Sequence, residues 1–79
     1  MNKLAVFNFN NNKVRIDRKD NQIWFCLRDV CEVLEISDRH RLRERLNPKG
    51  MTLTPTPTNR GTQKTYYVNE PNLYRIILK

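Results

Sequence analysis

No apolar run in this sequence is longer than the five residues from Ile23 to Leu27. A membrane-spanning helix needs about 20 apolar residues and a secretory leader about 7–15, so neither is expected and the chain reads as soluble and intracellular. Histidine is nearly absent. His40 stands alone, with no carboxylate or nucleophile at a catalytic spacing, and is expected at an exposed helix position. Cysteine is also scarce: Cys26 and Cys31 make no C-x-x-C and have no nearby histidine, so they read as small core hydrophobes rather than a zinc site or redox pair. With no general base, nucleophile or metal constellation in view, neither an enzyme activity nor a cofactor is expected. Acid is the remaining deficit, eight Asp and Glu against fifteen Lys and Arg, which leaves a net charge of +7.

What is present is enough to fold. At 79 residues the chain makes one compact unit, too small to bury a deep cofactor pocket, and its 38% apolar and 29% charged residues lie in the globular range. The charge is uneven. Residues 1–40 hold seven bases and six acids, net +1, whereas residues 41–79 hold eight and two, net +6. Arginine outnumbers lysine nine to six, and its planar fork suits phosphate oxygens and guanine edges. A polyanion is therefore expected to dock on the second half of the chain.

The pattern predicts an α+β domain. Ala5, Phe7 and Phe9 alternate with Leu4, Val6 and Asn8, the cluster Asn10-Asn11-Asn12 forms a turn, and Val14 and Ile16 mark a return strand. A polar connection over Asp17–Gln22 leads to a buried strand over Ile23–Leu27, completing a small meander. Asp29-Val30-Cys31-Glu32 has the form of a capping box, with a short helix from Val30 to Glu35 or Ile36 burying Val30, Val33 and Leu34. Ser37 or Asp38 caps a second helix, in which Leu42 and Leu46 form the buried stripe while His40, Arg41 and Glu44 point outward. Asn47 before Pro48 ends it, and Gly50 takes a left-handed turn. A basic hairpin follows, Met51–Val68, turning at Asn59-Arg60-Gly61-Thr62, with Pro55 and Pro57 confining its outgoing arm to a sheet edge. Asn69 caps a final helix with Pro71 in its first turn and Leu73, Ile76 and Ile77 inward. The aromatic residues Trp24, Phe25, Tyr66, Tyr67 and Tyr74 read mostly as core and sheet packing rather than a base-stacking platform.

The helix pair has the look of a helix-turn-helix, and Arg39, Arg41, Arg43 and Arg45 spread positive charge around its second member. One or two of these are expected to pair with Glu32, Glu35 or Asp38, leaving at least two free. With Arg60 at the hairpin tip and Lys64 beyond it, a basic helix beside a basic hairpin resembles a winged arrangement. The candidate nucleic-acid contacts are Arg39, Arg41, Arg43 and Arg45 at or beside a groove, and Lys49, Arg60 and Lys64 on phosphate.

The run Ile23-Trp24-Phe25-Cys26-Leu27-Arg28-Asp29-Val30-Cys31-Glu32-Val33-Leu34 resembles the W-F-x-x-x-D-V-C-x-x-L-G motif of the BRO family N-terminal domain. Tyr67-Val68-Asn69-Glu70-Pro71-Asn72-Leu73-Tyr74-Arg75-Ile76-Ile77-Leu78 is similar to that family's I-N-E-S-G-L-Y-x-L-I-L signature, and Phe7-Asn8-Phe9 and Val14-Arg15 also fit. The departures are Glu35 in place of glycine and Pro71-Asn72 in place of Ser-Gly. The resemblance implies a regulator of the prophage antirepressor type, acting in the host-cell cytoplasm, whose N-terminal domain binds double-stranded DNA. It also admits an interaction module that captures a phage repressor. The last helix stops at Lys79 without a capping glycine, so residues 1–79 read as a domain at the N-terminal end of a longer protein.

Overall fold

The computed structural model describes residues 5–9 and 11–78. The strand position of Leu4, the turn position of Asn10, the helix end at Lys79 and the facing of Ala5, Phe7 and Phe9 lie outside the described residues and side chains. The elements are β1 (Ala5–Phe9), β2 (Asn12–Lys19), β3 (Gln22–Cys26), α1 (Leu27–Val33), α2 (Arg39–Glu44), a 3-10 turn (Pro48–Gly50), β4 (Met51–Thr58), β5 (Gly61–Val68) and α3 (Glu70–Ile77). The fold is α+β, as the pattern predicts. Meander and hairpin are one antiparallel sheet of order β1-β2-β3-β5-β4, joined where Phe25 pairs with Val68 and Cys26 with Tyr67. Pro55 and Pro57 lie on β4, the edge, where a missing N–H costs no ladder bond.

Side chains alternate across this sheet. Val14, Phe25 and Val68 face the helices and build the main core with Leu27, Val30, Cys31, Leu46 and Ile76. Trp24, Cys26 and Tyr67 face the other way, yet they are buried too. The sheet itself covers them, because it is curled. The Arg15 NH1 of β2 donates to the Pro57 carbonyl of β4 at 2.8 Å, although β3 and β5 lie between these strands. Three strand spacings in a flat sheet are about 14 Å, more than an arginine spans, so β4 must fold back toward β2. Thr54 and Thr56 close this concave side, with the Thr56 hydroxyl 3.2 Å from the Tyr67 hydroxyl and 2.7 Å from that of Thr65.

Several local expectations need correction. Asp29 and Glu32 do not form a capping box: α1 starts at Leu27, which leaves the strand, and the N-cap position is Cys26 with no side-chain cap. The Asp29 carboxylate is taken instead by Arg15, fourteen residues away. The polar connection over Asp17–Gln22 shrinks to Asp20-Asn21, whose φ values of 55° and 59° suit a type I′ turn between β2 and β3. Helix α2 ends at Glu44, so Leu46 is buried from beyond it. The Arg45 and Leu46 amides close onto the Leu42 and Arg43 carbonyls, and beyond them the Asn47 amide donates to Asn72 Oδ1 of α3 at 3.0 Å. Gly50 is not left-handed. It is required for space, since an added Cβ would overlap Asn69 Oδ1 and stand 2.6 Å from Asn72 Nδ2. Ile77 is 39% exposed and lines the core's rim with Val14, Phe25 and Leu73, whereas Tyr74 is exposed with its hydroxyl donating to Glu70 and does not pack inward. Asn69 caps α3 as expected, accepting from Asn72 N–H at 3.2 Å.

Glu35, the residue in the family's glycine position, has φ 57°. The Ile36 amide donates to the Cys31 carbonyl and the Glu35 amide to that of Glu32, which is a Schellman closure of α1 with Glu35 at its left-handed position. A side chain there is strained, so Glu35→Gly is expected to stabilise the domain by about 0.5–1 kcal/mol. Urea unfolding measures this directly; a loss of stability would show that the glutamate side chain contributes something beyond its backbone strain.

Candidate nucleic-acid interface

The candidate cations are carried by α2, the 3-10 turn and the β4–β5 hairpin. Asp38 Oδ1 accepts from the Arg41 amide at 3.0 Å and starts α2. That bond occupies the acid at the helix entrance, and Glu32 pairs with Arg28 one turn earlier at 3.8 Å. None of Arg39, Arg41, Arg43 or Arg45 makes an ion pair among the described residues, a correction to the expected partial neutralisation by Glu32, Glu35 or Asp38. Glu44, the single acid within α2, lies 3.6 Å from His40 Nε2. His40 is exposed, as expected.

Six of the seven candidate cations, Arg39, Arg41, Arg45, Lys49, Arg60 and Lys64, are exposed. Lys49 lies within the Asn47-capped 3-10 turn that connects α2 to β4, its amide donating to Asn47 Oδ1 at 3.0 Å. Arg60 occupies the two-residue tip between Thr58 and Gly61. There the Thr58 hydroxyl donates to the Gly61 carbonyl at 2.6 Å and accepts from the Arg60 amide, and Gly61 takes φ 94°. Lys64 lies two residues before Tyr66 on β5 and shares its sheet face. Arg43 differs from the rest: it is half-buried, its guanidinium 4.5 Å from the centre of the Tyr66 ring and its NH2 3.2 Å from His40 Nδ1. This contact joins the basic helix to the basic hairpin. The tip carrying Arg60 is roughly 20 Å further along at about 3.3 Å per residue, so the positive face is elongated.

Two features of this region were not read from the sequence. Tyr66 and Tyr67, taken together as sheet packing, point to opposite faces because they are adjacent in a strand: Tyr67 is wholly buried, its phenol pushed up by burial, while Tyr66 lies at the surface beneath Arg43. Strand parity is the signal that separates them. The other is Arg15, whose charge is matched by Asp29. Its Nε and NH2 donate to Asp29 at 2.8 and 2.9 Å, its amide to Asp29 Oδ2 at 3.0 Å and its NH1 to Pro57. Burial alone would push the Asp29 carboxyl up, but the hydrogen bonds and charge of Arg15 outweigh it and hold the group below the ordinary carboxylate range. Arg15 is raised correspondingly, chiefly by its hydrogen bond to Asp29. This pair fixes the hairpin against β2 and α1, and so sets where the tip stands.

Cys26 and Cys31 are buried and unpaired, and burial pushes both thiols up, away from the reactive range. Among the described residues no group of three or more His, Cys, Asp and Glu is placed to hold a metal, and no helix is long and apolar enough to cross a membrane.

The fold is a small α+β domain in which α2, the 3-10 turn and the β4–β5 hairpin carry the candidate cations. The chain belongs to the BRO family: the profile of the BRO family N-terminal domain matches residues 13–79. An uncharacterised protein of Haemophilus influenzae is 39% identical over 80 residues, an alignment that covers 98% of this chain and 39% of that relative's length. The chain therefore spans well under half of the relative it matches. No solved structure matches it.

Proposed function

We propose that the chain is the duplex-DNA-binding domain of a regulator of the prophage antirepressor type. Arg39, Arg41, Arg45, Lys49, Arg60 and Lys64 neutralise backbone phosphates along an elongated face, with Arg43 at its centre. The observation that carries the reading is the freedom of the α2 arginines from acidic partners among the described residues, in a half-chain of net +6. Cations already paired inside a protein contribute little to a polyanion; these are available. Membership of the BRO family N-terminal domain supports the same reading. Short exposed α2 supplies the groove-side cations and the hairpin the wing.

The test is charge reversal at two exposed positions away from the core. In fluorescence anisotropy with a labelled duplex at 0.1 M salt, Arg41→Glu with Arg45→Glu is expected to weaken binding roughly 10- to 100-fold, as the loss of about two phosphate contacts requires. Unchanged duplex affinity, with loss of capture of a cognate repressor instead, would move the function to protein interaction.

A further inference from the structure

We propose that Arg43 is the base-reading residue of this face, donating the edge of its guanidinium to a guanine in the major groove, while the surrounding cations hold phosphates. The inference rests on the duplex-binding reading above and assigns roles within that surface. A phosphate contact tolerates a mobile cation, because charge acts over several ångströms in many orientations. Base readout does not: a bidentate bond to guanine O6 and N7 requires a donor fork held in place before the base arrives.

By that criterion the cations separate cleanly. Arg39, Arg41, Arg45, Lys49, Arg60 and Lys64 are exposed, and no described residue holds their charged ends. Arg43 is held twice, by the Tyr66 ring at 4.5 Å from its centre and by His40 Nδ1 at 3.2 Å. The Tyr66 ring lies against the guanidinium, and of the five N–H donors one is directed to His40, so donors remain for a base. Tyr66 is itself a firm base, because the next residue, Tyr67, is wholly buried and anchors β5.

The surroundings fit a base rather than a phosphate. Leu53 pairs across the strands with Tyr66 and shares its face, and the two are 49% and 37% exposed. An apolar pair left open amid cations is poorly suited to a charged phosphate and well suited to the flat edge or methyl group of a base, whose approach buries it at little desolvation cost. Lys64, two residues along the same face, remains placed for the adjoining backbone.

The test compares sequence selectivity with salt dependence, which a phosphate contact and a base contact affect differently. Duplexes are selected from a randomised library by the wild type, Arg43→Lys, Tyr66→Phe and Tyr66→Leu, and the affinities of the selected site, its G-to-A variant and its 7-deazaguanine version are measured. The wild type is expected to select a site with a fixed guanine, and altering that base should cost about 5- to 150-fold. Arg43→Lys keeps the charge and so should keep the salt slope, yet abolish discrimination at that one position. Tyr66→Phe should retain the discrimination and Tyr66→Leu should lose it. A selected motif that persists in Arg43→Lys, a loss equal for all duplexes, or a wild type that binds duplex with no preferred base would each overturn the assignment. Failure of the wild type to bind any duplex at low salt would instead overturn the duplex reading itself. Thermal melting of the same four proteins shows that the differences are not losses of fold.

Discussion

Asp29→Ala is expected to destabilise the domain by about 2–4 kcal/mol, lowering its melting temperature on the order of 10–25 °C. The carboxylate is only 11% exposed and accepts three hydrogen bonds, from the amide, Nε and NH2 of Arg15. Removing it strands a guanidinium that is 28% exposed, and with it a backbone N–H. Losing one partner of such a pair costs far more than the pair contributes over an apolar replacement, so Arg15→Met with Asp29→Leu should recover part of the loss. Additive losses in that cycle would mean that the two side chains act independently. The same pair gives a pH dependence of known sign. The folded-state carboxyl is depressed, so its contribution is fully present above the unfolded value of about 3.9 and disappears as pH falls through the folded value. The wild type should therefore lose stability in acid, and Asp29→Asn should flatten that part of the profile. Because Arg15 also ties Pro57 to β2, Asp29→Ala should loosen the hairpin tip before the rest of the sheet melts.

Gly50→Ala is the second large effect, with an expected cost of about 2–4 kcal/mol. The methyl would enter a closed polar knot. Asn72, fully buried, accepts from the Asn47 amide and donates to the Asn47 carbonyl at 2.9 Å, Asn69 accepts from Asn72 N–H, and the Asn69 amide donates to the Gly50 carbonyl at 3.0 Å. Moving either side chain aside breaks part-buried hydrogen bonds, each worth about 0.5–1.5 kcal/mol. This knot joins the end of α2 to the start of α3. The variant should thus also disturb the Arg43–Tyr66 stack, visible as a changed Tyr66 environment by NMR. A melting temperature within about 2 °C of wild type would show that the site has room to spare.

The contrast between these two positions shows what local pattern conveys. Strand alternation, the edge placement of Pro55 and Pro57, the Asn69 cap and the buried cysteines are consequences of neighbours a few residues apart, and they were legible. Asp29 spelled a local cap but found a stronger, charged partner fourteen residues upstream, once the curl of the sheet brought Arg15 beside it. Gly50 looked like a conformational glycine and is a spatial one, because Asn69 and Asn72 arrive from 19 and 22 residues downstream. The positive half of the chain was evident from charge alone. Which arginine is held and which are loose was not, since Tyr66 reaches Arg43 through tertiary contact across the hairpin face.

The central claim is that the unpaired cations of α2 and the hairpin meet DNA phosphates, and its most direct test is the salt dependence of duplex binding by the wild type. If five of the six cations assigned to phosphates neutralise them, log affinity should fall against log salt with a slope near −4.5. A slope near zero, or no duplex binding at low salt, would contradict the account.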